Sequence, residues 1–195
     1  RAQILAAAGL VVDVRPTDMP EHRLPGDSSP ELWALRLASD KAGSAALKTP
    51  DAVTLGADTI VVIDGEVLGK PSGRDEAEAT LRRLRNRPHT VITAVALDGQ
   101  AGKWSGWSST DVQIRDLSDI EIVTYVSSGL PLDKAGSYGI QDQPFHPADL
   151  IKGCYLNVVG LPLCLTGELF DLAGLALNLE CVDCSNPMNT VGAQS

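Results

Sequence analysis

The chain has 195 residues, of which 44% are hydrophobic, and its formal net charge is −9. This length and composition predict one globular domain with a hydrophobic core and leave too little chain for a second full domain. The negative charge argues against a nucleic-acid-binding protein. The sequence has no apolar run near the ~20 residues that span a bilayer and no signal-peptide pattern, so we expect a cytoplasmic protein without a membrane partner.

Helical and strand patterns begin at the first residues. An Ala-rich run from Arg1 to Gly9 predicts a short helix that ends at the glycine. Residues 10–14 predict a strand because they are mainly apolar and β-branched. Residues 30–47 predict a helix with proline at its first position and apolar residues at helical spacing, and Lys41 lies on this helix.

The most informative stretch runs from Gly56 to Pro71. Asp58 interrupts an apolar run there, and a buried carboxylate costs several kcal/mol unless it is paired, metal-bound or solvated in a cleft. The dipeptide Asp64-Gly65 between two apolar runs predicts a hairpin turn. The returning strand would carry Lys70 back toward Asp58, so we expect the two charges to share one pocket.

The rest of the chain continues the alternation of helices and strands. Residues 74–86 predict a helix, residues 89–97 and 104–114 predict two strands joined by a loop at 98–102, and Ser118 is expected to cap a helix that runs to residue 127. A last helix is expected to begin near residue 161. This order predicts an α/β fold with a twisted, mixed β-sheet covered by helices on both faces.

The C-terminal residues differ from the rest. We predict a single domain over residues 1–178 and a flexible tail over residues 179–195, where periodicity is lost and small polar residues accumulate. The tail contains a C-x-x-C pair, Cys181 and Cys184. Because a zinc site would need a second ligand pair, and no histidine lies nearby, we interpret this pair as incidental.

Three motifs resemble those of a known family. They are GADTIVVIDGEVLGKP from Gly56, DKAGSYGIQ from Asp133 and IKGCYLNVVGLP from Ile151. In this order and spacing they resemble the Maf family of nucleoside triphosphate pyrophosphatases, whose fold is related to that of the inosine triphosphatases and has a central cleft. The resemblance implies hydrolysis of the anhydride between the α and β phosphates to a nucleoside monophosphate and pyrophosphate, a divalent metal (Mg or Mn) and a homodimer.

One family element is not found in the sequence. Members begin with a strand that leads into a Ser-x-Ser-Pro-Arg-Arg loop, where backbone N–H groups, hydroxyls and arginines at a helix N-terminus would bind the triphosphate. Arg1 matches the second arginine of that loop, so the resemblance implies a substrate-binding role for Arg1. The chain accordingly resembles a member that is truncated at its N-terminus.

The resemblance also implies catalytic roles for several residues. Asp58 would bind the metal or activate the attacking water, although a strand-end aspartate can also simply cap a turn. Glu21 would share the metal ion with Asp58, although exposed loop glutamates are common. Lys41 and Lys70 would neutralise phosphate oxygens, and ordinary surface lysines are the alternative.

The base of the nucleotide would be selected by two further residues. Thr59 and Gln141 match positions associated with base selection, and a glutamine amide can donate and accept at once, as reading a pyrimidine edge requires. They resemble the branch of the family that acts on dTTP and UTP rather than the branch that acts on 7-methyl-GTP. An alternative from another functional class is a non-catalytic, nucleotide-binding regulator of cell division and septum formation.

Overall fold

The computed structural model describes the backbone of residues 1–177, 179 and 189–194, and the side chains of residues 1–177 and 179. The helices in this part of the chain are α1 (Ala2–Ala7), α2 (Pro30–Ala46), α3 (Arg74–Leu84), α4 (Asp119–Ser127), α5 (Tyr155–Val159) and α6 (Leu163–Leu172). The strands are β1 (Thr54–Ile63), β2 (Glu66–Leu68), β3 (Pro88–Gly99), β4 (Gly102–Ile114), β5 (Ala148–Lys152) and β6 (Asn189–Gln194). Two short 3-10 helices lie between α4 and β5, at Leu130–Asp133 and Ala135–Ser137.

The strands form one sheet in the order β2-β1-β3-β4-β5, and β6 also pairs with β4. Every strand pair within the described residues is antiparallel, so the predicted mixed sheet is wrong in this respect. The reason is that β1–β2 and β3–β4 are joined by tight turns, which cannot make the long crossover of a parallel pair. The α3 helix connects β2, on one side of β1, to β3, on its other side. Although this connection is long, β3 also runs antiparallel to β1.

The predicted hairpin at Asp64-Gly65 is confirmed. Both turn residues have positive φ angles, 54° and 77°, which is the backbone of the type I′ turn that this dipeptide favours. Because β2 has only three residues, it pairs with β1 only from Val61 to Ile63. The edge of β1 from Thr54 to Ile60 therefore has no strand partner on that side within the described part of the chain, and its residues 58–60 line the cavity described below.

One face of the sheet is covered by α2. Its small and apolar residues pack on inward-facing residues of β1 and β3, in a cluster that contains Ala34, Leu35, Ala38, Ala42, Ile60, Ile92, Ala94 and Ala96. Gly56 permits this contact, because a Cβ atom at Gly56 would lie 2.1 Å from the carbonyl oxygen of Ala38 and 2.6 Å from the backbone nitrogen of Ala42. The backbone of α2 thus lies directly on β1.

The opposite face carries the remaining helices, which confirms the predicted α/β class with helices on both faces. One cluster joins the sheet to α3 and α4 and includes Val61, Val91, Val112, Leu81, Leu84 and Ile122. A second cluster joins it to α1 and α6 and includes Leu5, Ala57, Val95, Leu97, Leu165 and Leu169. Of the helices that the structure describes, none has the length and apolar character needed to cross a membrane.

The strand predicted at residues 10–14 is wrong: the segment is irregular and pairs with no strand in the described residues, and Val11 is fully exposed. β-branched composition alone does not form a strand where no sheet edge is in reach. The predicted tail lies largely outside the described residues, as do Cys181 and Cys184, but the backbone of Asn189–Gln194 forms β6, where the sequence predicted no strand.

Candidate active site

A cavity of about 620 Å³ lies at the open edge of β1, between α2, the β1–β2 hairpin and the segment from Asp133 to Asp142. All seven residues that the sequence singled out line this cavity: Arg1, Glu21, Lys41, Asp58, Thr59, Lys70 and Gln141. Residues that lie up to 140 positions apart in the sequence are thus brought to one site. Their chemical roles remain predictions, but their placement is that of a single binding site.

Asp58 lies at the centre of the site. It projects from β1 toward α2 and is 6% exposed. Its Oδ1 atom accepts a hydrogen bond of 2.5 Å from Nζ of Lys41. Burial raises the pKa of the Asp58 carboxyl above its usual value, and the hydrogen bond and charge of Lys41 oppose that rise. Asp58 is therefore a buried carboxylate with one direct cationic partner.

Lys41 joins the two predicted metal ligands. Its Nζ atom lies 2.7 Å from Oε1 of Glu21 as well as 2.5 Å from Oδ1 of Asp58. The hydrogen bond from Lys41 is the main reason that the pKa of Glu21 is lowered. The prediction that Asp58 and Lys70 share one pocket is confirmed, because both line the cavity. Within it Lys70 contacts Glu21, with 3.5 Å between Nζ and Oε2.

The packing of α2 explains why Lys41 is the lysine that contacts Asp58. The close contact at Gly56 brings α2 down onto β1, so that Lys41 reaches Asp58 across the helix–strand interface. The hairpin does return Lys70 to the cavity, but on the β2 side, where its side chain is 58% exposed. The sequence indicated both lysines and did not indicate which one would contact the acid.

The loop that carries Glu21 is held by a buried ion pair that the sequence argument missed. Asp27 is 4% exposed and accepts hydrogen bonds from Arg36 on α2, at 2.8 Å to Nη2, and from the backbone of Leu24. Arg36 also donates to the carbonyl oxygen of His22, at 2.9 Å. These contacts fix the backbone next to Glu21. No sequence motif indicated Asp27 and Arg36, because an aspartate in a loop and an arginine on a helix are common as exposed residues.

The two predicted metal ligands, Asp58 and Glu21, are the residues that could hold a small divalent cation. The carboxylates of Asp58 and Glu21 both contact the same ammonium group, so they already converge on one positive charge. Mg²⁺ is commonly held by one or two carboxylates together with substrate phosphates and water. Among the described residues, no group of three or more His, Cys, Asp or Glu side chains is arranged to hold a metal ion.

Arg1 and Thr59 form the other side of the site. Thr59 follows Asp58 on β1 and therefore points to the opposite face of the sheet. Arg1 donates from Nη2 to Oγ1 of Thr59, at 3.0 Å, and from Nε to the carbonyl oxygen of Gly160, at 2.8 Å. Oγ1 of Thr59 also lies 3.0 Å from Oγ1 of Thr93. Both faces of β1 reach the cavity because its edge is open at this point.

The segment from Asp133 to Asp142 forms the far wall. Asp133 and Lys134 make an ion pair with 2.9 Å between Oδ1 and Nζ. Lys134 Nζ also lies 3.7 Å from Oδ2 of Asp142. Gln141 is exposed at the cavity, and its amide makes no hydrogen bond within the described part of the chain. That amide is therefore available to a ligand.

The charges in the cavity favour an anionic ligand more than the charge of the whole chain suggests. Its lining residues include four cations, Arg1, Lys41, Lys70 and Lys134, and four carboxylates, Glu21, Asp58, Asp133 and Asp142. The cavity is thus balanced in charge, whereas the chain carries −9. A divalent cation bound by two of the carboxylates would make it positive, as a triphosphate site requires.

Comparison with known proteins agrees with this geometry. A family model described as Maf-like protein matches residues 1–173. A dTTP/UTP pyrophosphatase of Geobacter metallireducens (strain ATCC 53774 / DSM 7210 / GS-15) is 43% identical over 166 residues, which cover 84% of this chain and 86% of that protein. A dTTP/UTP pyrophosphatase of Symbiobacterium thermophilum is 44% identical over 174 residues, 89% of either chain. One of Yersinia pestis bv. Antiqua is 44% identical over 170 residues, 87% of this chain and 86% of that protein. The resemblance seen in the sequence motifs is confirmed, and the chain belongs to the Maf family.

Proposed function

We propose that this protein is a nucleoside triphosphate pyrophosphatase that hydrolyses dTTP and UTP to the nucleoside monophosphate and pyrophosphate. The observation that carries the proposal is the cluster of Lys41, Asp58 and Glu21 in the cavity, since it combines a buried carboxylate with cations that suit phosphate oxygens. The names of the relatives, each of which is at least 42% identical over most of its length, support the same reaction.

Asp58 is the group that handles the attacking water. Its pKa is raised by burial, which makes its carboxylate a stronger base than an exposed aspartate. The water attacks the α-phosphorus, the bond to the bridging oxygen breaks, and pyrophosphate leaves. A divalent cation, Mg²⁺ or Mn²⁺, held by Asp58 and Glu21 would neutralise phosphate oxygens and lower the pKa of a bound water.

The basic residues hold the phosphate chain. Lys41 contacts both carboxylates, and a metal ion between those carboxylates would free its ammonium group to move to a phosphate oxygen. Lys70 is more exposed and reaches the cavity from the hairpin. Arg1 lies on the opposite side, and its guanidinium is held by Thr59 and Gly160. The substrate is thereby held between cations from the N-cap of α1, from α2 and from the segment after β2.

Base selection lies with Thr59 and Gln141. A pyrimidine edge presents a donor and an acceptor together, and the amide of Gln141 can pair with both. The threonine hydroxyl is oriented by its contacts with Arg1 and Thr93. The homodimer and the cytoplasmic location stay predictions from the family resemblance and from the composition.

The proposal is tested by a substrate panel with product identification. We expect UMP and pyrophosphate from UTP, and dTMP and pyrophosphate from dTTP, in the presence of Mg²⁺ or Mn²⁺, and loss of both activities with excess EDTA. Release of UDP and inorganic phosphate would contradict cleavage between the α and β phosphates. Preferred hydrolysis of 7-methyl-GTP would place the protein in the other branch, and nucleotide binding without any hydrolysis would favour the regulatory alternative.

A further inference from the structure

The segment Gly139–Asp142 is a tight turn that presents Gln141 to the cavity. The backbone nitrogen of Asp142 donates to the carbonyl oxygen of Gly139, at 3.1 Å, which closes a four-residue turn with Ile140 and Gln141 at its two central positions. All four residues line the cavity. The position of the Gln141 amide therefore depends on what holds this turn.

The hydroxyl of Tyr125 holds the turn at both ends. It accepts a hydrogen bond of 3.0 Å from the backbone nitrogen of Gly139, and it donates one of 2.5 Å to Oδ2 of Asp142. Tyr125 lies on α4 and is buried, and its ring stacks on Phe145 with 3.8 Å between ring centroids and 9° between planes. One fixed oxygen atom thus bridges the first and last residues of the turn.

The contacts around this bridge leave little room for another arrangement. A Cβ atom at Gly139 would lie 2.6 Å from the carboxylate of Asp142, so the two ends of the turn are already in close contact. Lys134 lies 3.7 Å from the same carboxylate and adds a charge on the cavity side. The Tyr125 side chain does not line the cavity, so its hydroxyl can affect a nucleotide only through the turn.

We infer that Tyr125 and Asp142 are positioning residues that fix the Gln141 amide and thereby set the preference for pyrimidine nucleotides. This inference rests on the proposed function. A base is discriminated by hydrogen bonds only when the reading group is held in place, because a mobile amide can turn to suit a different base edge. Displacement of such a group by about 1 Å can cost up to about 100-fold in rate.

The test compares kcat/KM for UTP with kcat/KM for GTP in four variants. In Tyr125→Phe the ring stack remains and both hydrogen bonds are lost, so we expect the UTP-to-GTP ratio to fall about tenfold or more, mainly through a higher KM for UTP. Asp142→Ala should give a similar fall. Asp142→Asn keeps an oxygen that can accept from Tyr125, so it should retain most of the preference.

Thr166→Val is the matched control. It also removes one buried hydroxyl, which donates to the carbonyl oxygen of Pro162 in α6, away from the residues that line the cavity. We expect it to lower the midpoint of urea unfolding without changing the UTP-to-GTP ratio. If the ratio falls as much in Thr166→Val as in Tyr125→Phe, the effect is one of stability and the inference is wrong.

The outcomes separate this inference from the proposed function. If the wild-type protein hydrolyses UTP and folded Tyr125→Phe and Asp142→Ala keep its UTP-to-GTP ratio, the inference alone is overturned. If Tyr125→Phe does not fold, Asp142→Ala decides, because Asp142 lies at the cavity and is only partly buried. If the wild-type protein hydrolyses neither nucleotide, the proposed function is overturned and this inference with it.

Discussion

Replacing Lys41 by methionine isolates the interaction between the buried acid and its cation. Methionine keeps the length and apolar contacts of the lysine stem and removes the ammonium group that contacts Asp58 and Glu21. Asp58, which is 6% exposed, would then lose its direct cationic partner. We expect Lys41→Met to fold with reduced stability and to lose most of its turnover.

The expected loss of stability follows from burial. Removing one partner of a buried ion pair costs about 3–5 kcal/mol. The Lys41 side chain is 17% exposed, so we expect a loss of about 2–3 kcal/mol at neutral pH. Burial raises the pKa of Asp58 and Lys41 opposes that rise, so the variant should have a still higher Asp58 pKa. The difference in the free energy of unfolding between Lys41→Met and the wild type should therefore shrink as the pH falls and Asp58 becomes protonated.

The assay is a double-mutant cycle measured by urea unfolding. Wild type, Lys41→Met, Asp58→Asn and the double variant are compared at neutral pH, with Lys48→Met as a control at an exposed lysine just beyond the end of α2. Because an amide needs no counter-charge, Lys41→Met should cost little in the Asp58→Asn background, which gives a coupling free energy of about 2 kcal/mol. If Lys41→Met costs the same in both backgrounds, the two residues are not coupled and the reasoning about the site is wrong.

Three further predictions concern Lys70 in the cavity, the buried His89 and the close contact at Gly56. Lys70→Ala should lower kcat/KM for UTP by about 10²–10³ with little change in the urea midpoint, because Lys70 is largely exposed, and an unchanged rate would make it an ordinary surface lysine. Burial lowers the pKa of His89 to about 4, so between about pH 6.5 and 4 the unfolded chain binds a proton that the folded chain does not. The free energy of unfolding should therefore fall by up to about 3 kcal/mol as the pH drops through this range. In urea unfolding, His89→Gln should show a weaker pH dependence than the wild type, and an equal pH dependence would contradict this assignment. Gly56→Ala should destabilise the folded protein by about 3 kcal/mol or more, because the added Cβ would collide with the backbone of Ala38. The effect is measured by thermal unfolding, and a melting temperature near that of the wild type would show that α2 does not lie so close to β1.

Much of the fold could be predicted from local sequence signals. The Asp64-Gly65 turn, the proline at the start of α2 and the helix cap at Ser118 each determine local backbone geometry, and the structure has a turn or helix start at each of them. The strands β3 and β4 were also expected, although they extend further than predicted, to a turn of two residues at 100–101. The strands at Ala148–Lys152 and Asn189–Gln194 lacked such signals and were not predicted.

The candidate site was predicted as a set of residues but not as a set of contacts. The family resemblance indicated seven of the residues that line the cavity, whereas the partner of Asp58 depends on how closely α2 approaches β1. That distance is set by Gly56, whose role appears only when the helix is in place. The supporting contacts of Arg36 with Asp27 and of Tyr125 with Asp142 are likewise tertiary, since their partners are 9 and 17 residues apart and belong to different segments.

The proposed function requires that Asp58 and its cavity hydrolyse a pyrimidine nucleoside triphosphate. The most direct measurement is pyrophosphate release from UTP with Mg²⁺ by wild type and by Asp58→Asn, with the urea midpoint of each measured in parallel. We expect release by the wild type and a loss of nearly all turnover in a folded Asp58→Asn, because the substitution preserves shape and removes the charge that handles the metal or the water. A folded Asp58→Asn protein that retains most of the wild-type rate would contradict it.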